Sequence, residues 1–232
     1  RRAMIAAIHQ PQFMPWSGYF DKMDRVDCFV LLDNVQFKKN EWQNRNRIKT
    51  AQGAQWLTVP VSFRFPAKIE EVGVNGNVNW RNKHLQALRT NYAKAPHWER
   101  MRESLEGFYE RDWEHLADVN RASIEWLRRE LGIDTELRVG SEMEGLSEEP
   151  TQRLVDICQQ VGADSYLSGV DGAKYMEMER FADAGIEVVF QEYEPPTYPQ
   201  LFGEFVSHLS VLDLVLNCGE ESGQIVRSGR KN

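Results

Sequence analysis

The chain has 232 residues, of which 41% are hydrophobic and 27% charged, and its formal net charge is −7. This is the composition of an ordinary globular protein, large enough for one sizeable domain or two small ones. The acidic balance argues against a nucleic-acid surface over the whole molecule. No apolar run approaches the ~18 residues that a membrane span needs, and the apolar stretch behind Arg1 and Arg2 is too short for a signal peptide. We therefore expect a cytoplasmic protein with no membrane span and no nucleic-acid partner.

The first third of the chain predicts a strand, a loop, a short helix and a second strand. Residues 4–8 and 28–32 are apolar runs of strand length, and residues 19–24 fit a short helix between them. Residues 36–50 are rich in Asn, Arg and Lys and predict a polar loop. Residues 55–61 and 69–74 predict two further short strands.

The remainder predicts a helical stretch followed by alternating helices and strands. Residues 80–131 fit helices interrupted at Pro96, and residues 133–139 a strand. An apolar stripe predicts a helix ending at Gly162, followed by a strand at 165–167, a helix at 174–184 and a strand at 186–190. A last helix ends at Gly219, and Ser210 with Asp213 fits a capping box at its start.

This alternation favours an α/β fold in which a mostly parallel sheet is flanked by helices. We expect residues 1–75 and 133–232 to form the α/β core, and residues 76–132 to form a helical insert or subdomain.

The strongest functional signal is the loop that follows the first strand. It carries His9 and Gln10 before Pro11 and Gln12 after it, and continues to Trp16 and Tyr19. In open α/β sheets ligands bind at the carboxyl ends of the strands. We therefore predict that His9 is a general base, and that the other four residues contact substrate.

Further candidates follow the other predicted strands. Asp33, after the second strand, is predicted to be a catalytic residue beside His9, although a role as a turn residue explains it equally well. The remaining candidates are predicted to bind substrate. Two are arginines, which suit phosphate or carboxylate; two belong to a glycine turn before a helix, which suits an anion; the others are amide or tyrosine side chains. These candidates are Gln36, Asn44, Arg45, Arg47, Ser168, Gly169, Tyr198 and Gln200.

Cysteine usage and motif content exclude several classes of site. The three cysteines are odd in number and far apart, so they predict neither a disulfide framework nor a metal site. Cys28 and Cys158 fit the core, whereas a functional role for Cys218 at a helix end is left open. The chain contains no HExxH and no GxSxG motif, so no metal is predicted and no nucleophile-elbow esterase is supported.

Several of these segments together resemble the WbqC-like protein family, in order along nearly the whole chain. They include His9-Gln10-Pro11, Asp33-Asn34-Val35-Gln36-Phe37, Asn44-Arg45-Asn46-Arg47, Tyr166-Leu167-Ser168-Gly169 and Tyr198-Pro199-Gln200. Proteins of this family occur in gene sets for bacterial O-antigen and other surface polysaccharides. The resemblance therefore implies transfer of an acyl or aminoacyl group, with glycyl as one candidate, to an amine of a nucleotide-linked sugar or similar small, phosphate-bearing acceptor.

Two alternatives remain open at this point. The order of parts also resembles adenylate-forming nucleotidyltransferases of the pantothenate synthetase type, which would make the protein an ATP-dependent ligase. The second histidine of their motif is absent here, where Trp16 and Gly18 stand instead. The other alternative is a non-catalytic module that binds a sugar nucleotide. No cofactor is evident, and ATP enters only under the first alternative.

Overall fold

The computed structural model describes all 232 residues, and its secondary structure alternates between strands and helices. The strands are β1 (Ile5–His9), β2 (Cys28–Leu31), β3 (Arg45–Thr50), β4 (Gly53–Thr58), β5 (Val61–Ser62), β6 (Gly73–Val74), β7 (Glu136–Val139), β8 (Ser165–Ser168) and β9 (Glu187–Phe190). The helices are α1 (Ser17–Asp24), α2 (Trp80–Tyr92), α3 (Trp98–Glu110), α4 (Leu116–Glu130), α5 (Pro150–Gln160), α6 (Met178–Asp183), α7 (Val211–Cys218) and α8 (Ser222–Ser228). No helix combines the length and the apolar character that crossing a bilayer requires.

Five strands form one parallel sheet in the order β7-β2-β1-β8-β9, which confirms the predicted fold class. β2 is buried along its whole length because helices cover both faces of the sheet. The chain first adds β2 and β7 on one side of β1, and then crosses to the other side, where it adds β8 and β9. The order therefore reverses between β1 and β8, which is the position where doubly wound sheets bind ligands.

The helices of residues 80–131 pack into the same apolar cluster as one face of the sheet. That cluster contains 40 buried residues, among them Phe29 of β2, Leu88 of α2, Leu105 of α3 and Leu127 of α4. A second cluster of 12 buried residues lies on the opposite face, against α5 and α6. The sheet is therefore enclosed between two apolar layers, and its carboxyl edge is left for other contacts.

Three local predictions are wrong. The expected loop over residues 36–50 ends in strand β3, which pairs with β4 in an antiparallel hairpin. The sequence pattern did not predict β3 because its side chains are polar. Asn46 and Lys49 are nevertheless buried, since they donate hydrogen bonds to backbone carbonyls. The helix expected over 174–184 is limited to Met178–Asp183, and the strand expected over 69–74 is largely a 3-10 turn, Ile69–Glu71.

The cysteines are all free thiols. Cys28 and Cys158 are buried, and burial raises the pKa of Cys28 to about 11 and that of Cys158 to about 12. Cys218 is less deeply buried, yet burial and the nearby Asp213 carboxylate raise its pKa to about 11. None of the three is therefore an activated nucleophile at neutral pH.

Candidate functional site

A cavity of about 820 Å³ opens at the carboxyl ends of β1 and β8, where the strand order reverses. It is bounded by the end of β1, the first turn of α1, the loop after β8 and the segment after β9. Six of the residues predicted to form a site line it together: His9, Gln10, Trp16, Tyr19, Ser168 and Gly169. The first strand and the glycine turn, which are distant in sequence, thus contribute to one site.

His9 ends β1 and lies against the ring of Tyr19, with the ring centroids 4.7 Å apart. Its Nε2 is 3.2 Å from Nε2 of Gln12, whose amide N–H donates to it. The ring proton then resides on Nδ1, which is buried and has no partner in the protein. Burial, with a smaller contribution from the Lys22 cation, holds the pKa of His9 well below its ordinary value. The imidazole is therefore neutral at physiological pH and keeps a lone pair on Nε2.

The loop after β1 is held by buried amides rather than by regular structure. The Asn46 amide of β3 donates to the carbonyls of Phe13 and Met14, at 3.2 and 2.9 Å. The Asn120 amide of α4 donates to the carbonyl of Pro11. Met14 has a positive φ of 42°, a conformation that these contacts sustain. The loop therefore carries His9 on a rigid support.

Lys22 is a cavity residue that the sequence analysis did not identify. It lies on α1 three residues after Tyr19, so the two side chains share one face of the helix. Only 5% of Lys22 is exposed, and its ammonium donates weakly to the Ile8 carbonyl at 3.5 Å. Burial lowers its pKa to about 8. No sequence signal marked it, because α1 also carries Asp21 and Asp24, so one more charged residue in this helix is unremarkable.

Asp33 and Gln36 lie outside this cavity. The Asp33 carboxylate accepts hydrogen bonds from the backbone N–H and the hydroxyl of Ser141, at 2.8 and 2.7 Å. Both of its oxygens are thus engaged in holding the turn that follows β7. Gln36 is exposed and pairs through its backbone with Lys68 in an isolated bridge.

Tyr198 and Gln200 also lie outside the cavity, where they anchor an extended strap, residues 191–210, that has no regular helix or strand. Both side chains donate to Oδ2 of Asp213, at 2.7 and 2.9 Å, and the hydroxyl of Tyr92 donates to Oδ1 at 2.8 Å. The capping box predicted for Ser210 and Asp213 is therefore half wrong. Ser210 caps α7 by accepting from the backbone N–H of Leu212, whereas the Asp213 carboxylate is buried in this network.

Arg45 and Arg47 form an Arg–Trp platform with Trp42 and Trp56 on the exposed face of the β3–β4 hairpin. The Arg45 guanidinium lies 3.9 Å from the Trp56 ring centroid, and that of Arg47 lies 5.6 and 5.9 Å from those of Trp56 and Trp42. The Nε atoms of both arginines have no hydrogen-bond partner. Two cations and two half-exposed indole rings are thus presented together.

The platform adjoins the mouth of the cavity. Arg47 donates to the His208 carbonyl at 3.3 Å, and the His208 ring stacks on Trp16, with centroids 5.3 Å apart. Trp16 in turn lines the cavity. Asn44 supports the hairpin from below, because its buried amide donates to the Val59 carbonyl and its oxygen accepts from the Asn40 N–H.

Another cleft, of about 850 Å³, lies between α5 and α6, and the one cation in its lining, Arg180, is already paired. Arg180 is held by Glu177 at 2.6 Å and Glu149 at 3.7 Å. Nowhere in the molecule do three or more His, Cys, Asp or Glu side chains gather in a metal-ligating cluster. The cavity at His9 differs in combining a neutral imidazole with a buried cation that has no counter-ion.

Comparison with known proteins identifies the family. No solved structure matches the chain. An uncharacterized protein of Mycobacterium tuberculosis, Rv1507c, is 38% identical over 229 residues, covering 97% of this chain and 98% of that protein. The model of the WbqC-like protein family matches residues 10–225, a range that contains most of the cavity and all of the Arg–Trp platform. The chain belongs to the WbqC-like protein family.

Proposed function

We propose that this protein is an enzyme of bacterial surface-polysaccharide biosynthesis. It would transfer an acyl or aminoacyl group, glycyl among the candidates, to an amine of a nucleotide-linked sugar or similar acceptor. The observation that carries the proposal is His9: a neutral imidazole that lines a cavity at the reversal point of a parallel sheet. An imidazole that is unprotonated at neutral pH suits removal of a proton from an attacking amine.

In the proposed reaction the amine nitrogen of the acceptor attacks the carbonyl carbon of the acyl donor. A C–N bond forms, the bond to the leaving group breaks, and the surplus proton of the amine passes to His9 Nε2. The acceptor amine would take the place of the Gln12 amide at that nitrogen. His9 then returns the proton to the departing group. Asp33 takes no part in the proposed step, since both of its oxygens hold the turn after β7 outside the cavity.

The Arg–Trp platform would bind the part of the substrate that extends beyond the cavity mouth. Planar guanidinium groups bind diphosphate or carboxylate oxygens in pairs, and the exposed face of Trp56 offers a stacking surface for a sugar or base. Trp16 and His208 would lie between the two parts of the substrate.

The decisive experiment is an amide-forming assay with mass-spectrometric detection. The acceptor is a UDP-linked sugar with a free amine, and the donor is acetyl-CoA in one arm and glycine with Mg-ATP in the other. We expect His9→Ala to lower turnover by about 10²–10⁴-fold. The matched control is His115→Ala, which removes a half-exposed histidine that does not line the cavity. Turnover of the His9 variant within a factor of a few of the parent would sink the proposal.

A second candidate, an ATP-dependent adenylating ligase, is favoured by one observation: the cavity lies at the strand-order reversal, the usual nucleotide position in doubly wound sheets. The two donor arms separate the candidates. Product only with glycine and ATP, accompanied by release of AMP, supports the ligase. Product with the thioester alone supports the transferase, and binding of the UDP-sugar without product in either arm leaves the non-catalytic module.

A further inference from the structure

A buried cation without a counter-ion lines the cavity. Lys22 is 95% removed from solvent, and none of its neighbours within ion-pair distance is a carboxylate. The acidic residues beside it in sequence are engaged elsewhere. Asp21 is paired with Arg230 at 2.6 Å and with Arg25 at 3.5 Å, and Asp24 is paired with Arg227 at 2.9 Å.

An ammonium group in this position loses its hydration and gains only one long hydrogen bond, to the Ile8 carbonyl at 3.5 Å. Buried charges are normally paired or fully hydrogen-bonded. The unmet requirement of Lys22 is therefore for an anion, and the cavity is the place from which an anion can reach it.

The backbone around Lys22 also favours an anion in the cavity. Helix α1 begins beside the cavity, where Trp16, Gly18 and Tyr19 form part of the wall, and no side chain caps its amino terminus. Among the first N–H groups of α1, that of Tyr19 donates to the Trp16 carbonyl, whereas those of Ser17 and Gly18 have no partner and carry partial positive charge. The buried hydroxyl of Tyr193, another wall residue, has no hydrogen-bond partner of good geometry. Lys22, the first turn of α1 and Tyr193 thus all contribute to the wall of one cavity.

We propose that Lys22 and the uncapped first turn of α1 bind a phosphate group inside the cavity. Phosphate suits this arrangement because it accepts from several N–H donors at once and fits helix amino termini. Together with the proposed function, on which this extension rests, the inference means that a phosphate-bearing part of a substrate lies within the cavity beside His9. On this extension the phosphate lies in the cavity rather than on the Arg–Trp platform, which binds a carboxylate or stacks on a sugar or base.

The charge of Lys22 gives the site a defined pH dependence. The cation is retained below about pH 8, where the burial-lowered pKa lies, and is lost above it. His9 on β1 is neutral throughout this range because its pKa is lowered, and burial raises the pKa values of Tyr19 and Tyr166. The titratable and charged residues facing Lys22 across the cavity are His9, Tyr19, Tyr166, Asp171, Tyr175, Glu192, Tyr193 and Lys231.

Calorimetric titration of the full chain tests the proposal without any acyl donor. The probes are inorganic phosphate and pyrophosphate, with acetate to represent a carboxylate. We expect Lys22→Met to weaken phosphate binding by tenfold or more, and Lys22→Arg, which keeps the charge, to retain most of it. Lys83→Met, on the exposed side of α2, is the matched control and should bind like the parent. Retention of binding by His9→Ala would separate this site from the catalytic proposal.

A pH series on the parent protein provides a test that does not depend on the folding of a variant. Sulfate is the probe, because its charge does not change over the range. Its affinity should be steady from pH 6 to 7.5 and fall about tenfold or more by pH 9.5, as the cationic fraction of Lys22 disappears. Three results overturn the proposal: no binding of phosphate or sulfate at millimolar concentration, equal binding by Lys22→Met, or acetate binding as tight as that of phosphate.

Discussion

At the residue scale, the protonation states of His9 and Lys22 are linked because both side chains line the same cavity. Burial disfavours the charged form of each, and the Lys22 cation lowers the pKa of His9 further. The pair therefore keeps a neutral base next to a titratable cation at neutral pH. This combination suits a site that binds an anion and accepts a proton from an amine.

The buried charge of Lys22 should destabilise the free protein, so Lys22→Met is expected to be more stable than the parent at pH 7. The pKa of Lys22 falls from 10.5 to about 8 on folding, a penalty on the order of 3 kcal/mol below pH 8. Above pH 8 the folded protein releases the proton before the unfolded chain does, so the stability of the parent rises towards pH 10.5. The advantage of the variant should shrink over that window.

Urea unfolding at pH 7 and at pH 9.5 measures this effect. The difference in the free energy of unfolding between Lys22→Met and the parent should be clearly positive at pH 7 and smaller at pH 9.5. A variant less stable than the parent at pH 7, or a difference independent of pH, would show that Lys22 is not a buried uncompensated cation.

The residue scale also shows what the sequence could and could not predict about the site. His9, Gln10 and Ser168 were predictable because a polar residue directly after an apolar strand has a known position in a parallel sheet. Lys22 was not predictable, since helix periodicity indicates which side of a helix a residue lies on but not which residues pack against that side. Asp213 was assigned to a cap from local spacing, whereas its partners Tyr92 and Tyr198 come from other parts of the chain.

At the element scale, the start of α1 depends on close packing of the Trp16 indole over Gly18. A Cβ atom on Gly18 would overlap the indole carbons of Trp16, so the ring would have to move. The same ring stacks on His208 and meets Tyr193 edge-on, with centroids 5.8 Å apart. The absence of a side chain at position 18 therefore shapes the cavity wall.

Gly18→Ala is expected to destabilise the protein by about 1–3 kcal/mol, because overpacking displaces Trp16. The matched control is Gly107→Ala in α3, where an added Cβ meets nothing within 4 Å. That substitution should stabilise the protein by about 0.5–1 kcal/mol, as alanine does in an exposed helix interior. Urea unfolding of both variants measures the contrast, and a stabilising effect at both positions would refute the packing argument.

At the scale of the whole molecule, the parallel sheet was predictable from the alternation of helices and strands, but its strand order was not. Apolar runs identify strands, whereas the choice of neighbours depends on contacts such as β1 with β8, which are about 160 residues apart in sequence. The reversal between these two strands is the feature that makes the cavity. The polar hairpin β3–β4 was also not predictable, since its buried side chains donate hydrogen bonds to carbonyls of distant loops.

Two arginines near the end of the chain, Arg227 and Arg230, form ion pairs with the first helix, α1. Arg230 donates to the fully buried carboxylate of Asp21 at 2.6 Å and also pairs with Asp24, more than 200 residues away in sequence. Arg227 pairs only with Asp24, and its side chain is 42% exposed. These contacts fix α1, and hence the cavity wall, against the last residues of the chain.

Arg230→Ala should therefore destabilise the protein far more than Arg227→Ala. Removing one partner of a buried pair leaves an uncompensated charge, at a loss of about 3–5 kcal/mol. We expect about 2–3 kcal/mol here, since Arg25 and Gln191 still contact the Asp21 carboxylate. Arg227→Ala breaks a more exposed pair and should lower the free energy of unfolding by about 0–1 kcal/mol. Urea unfolding at pH 7 compares the two, and equal losses would mean that the buried Asp21 pair does not hold the first helix in place.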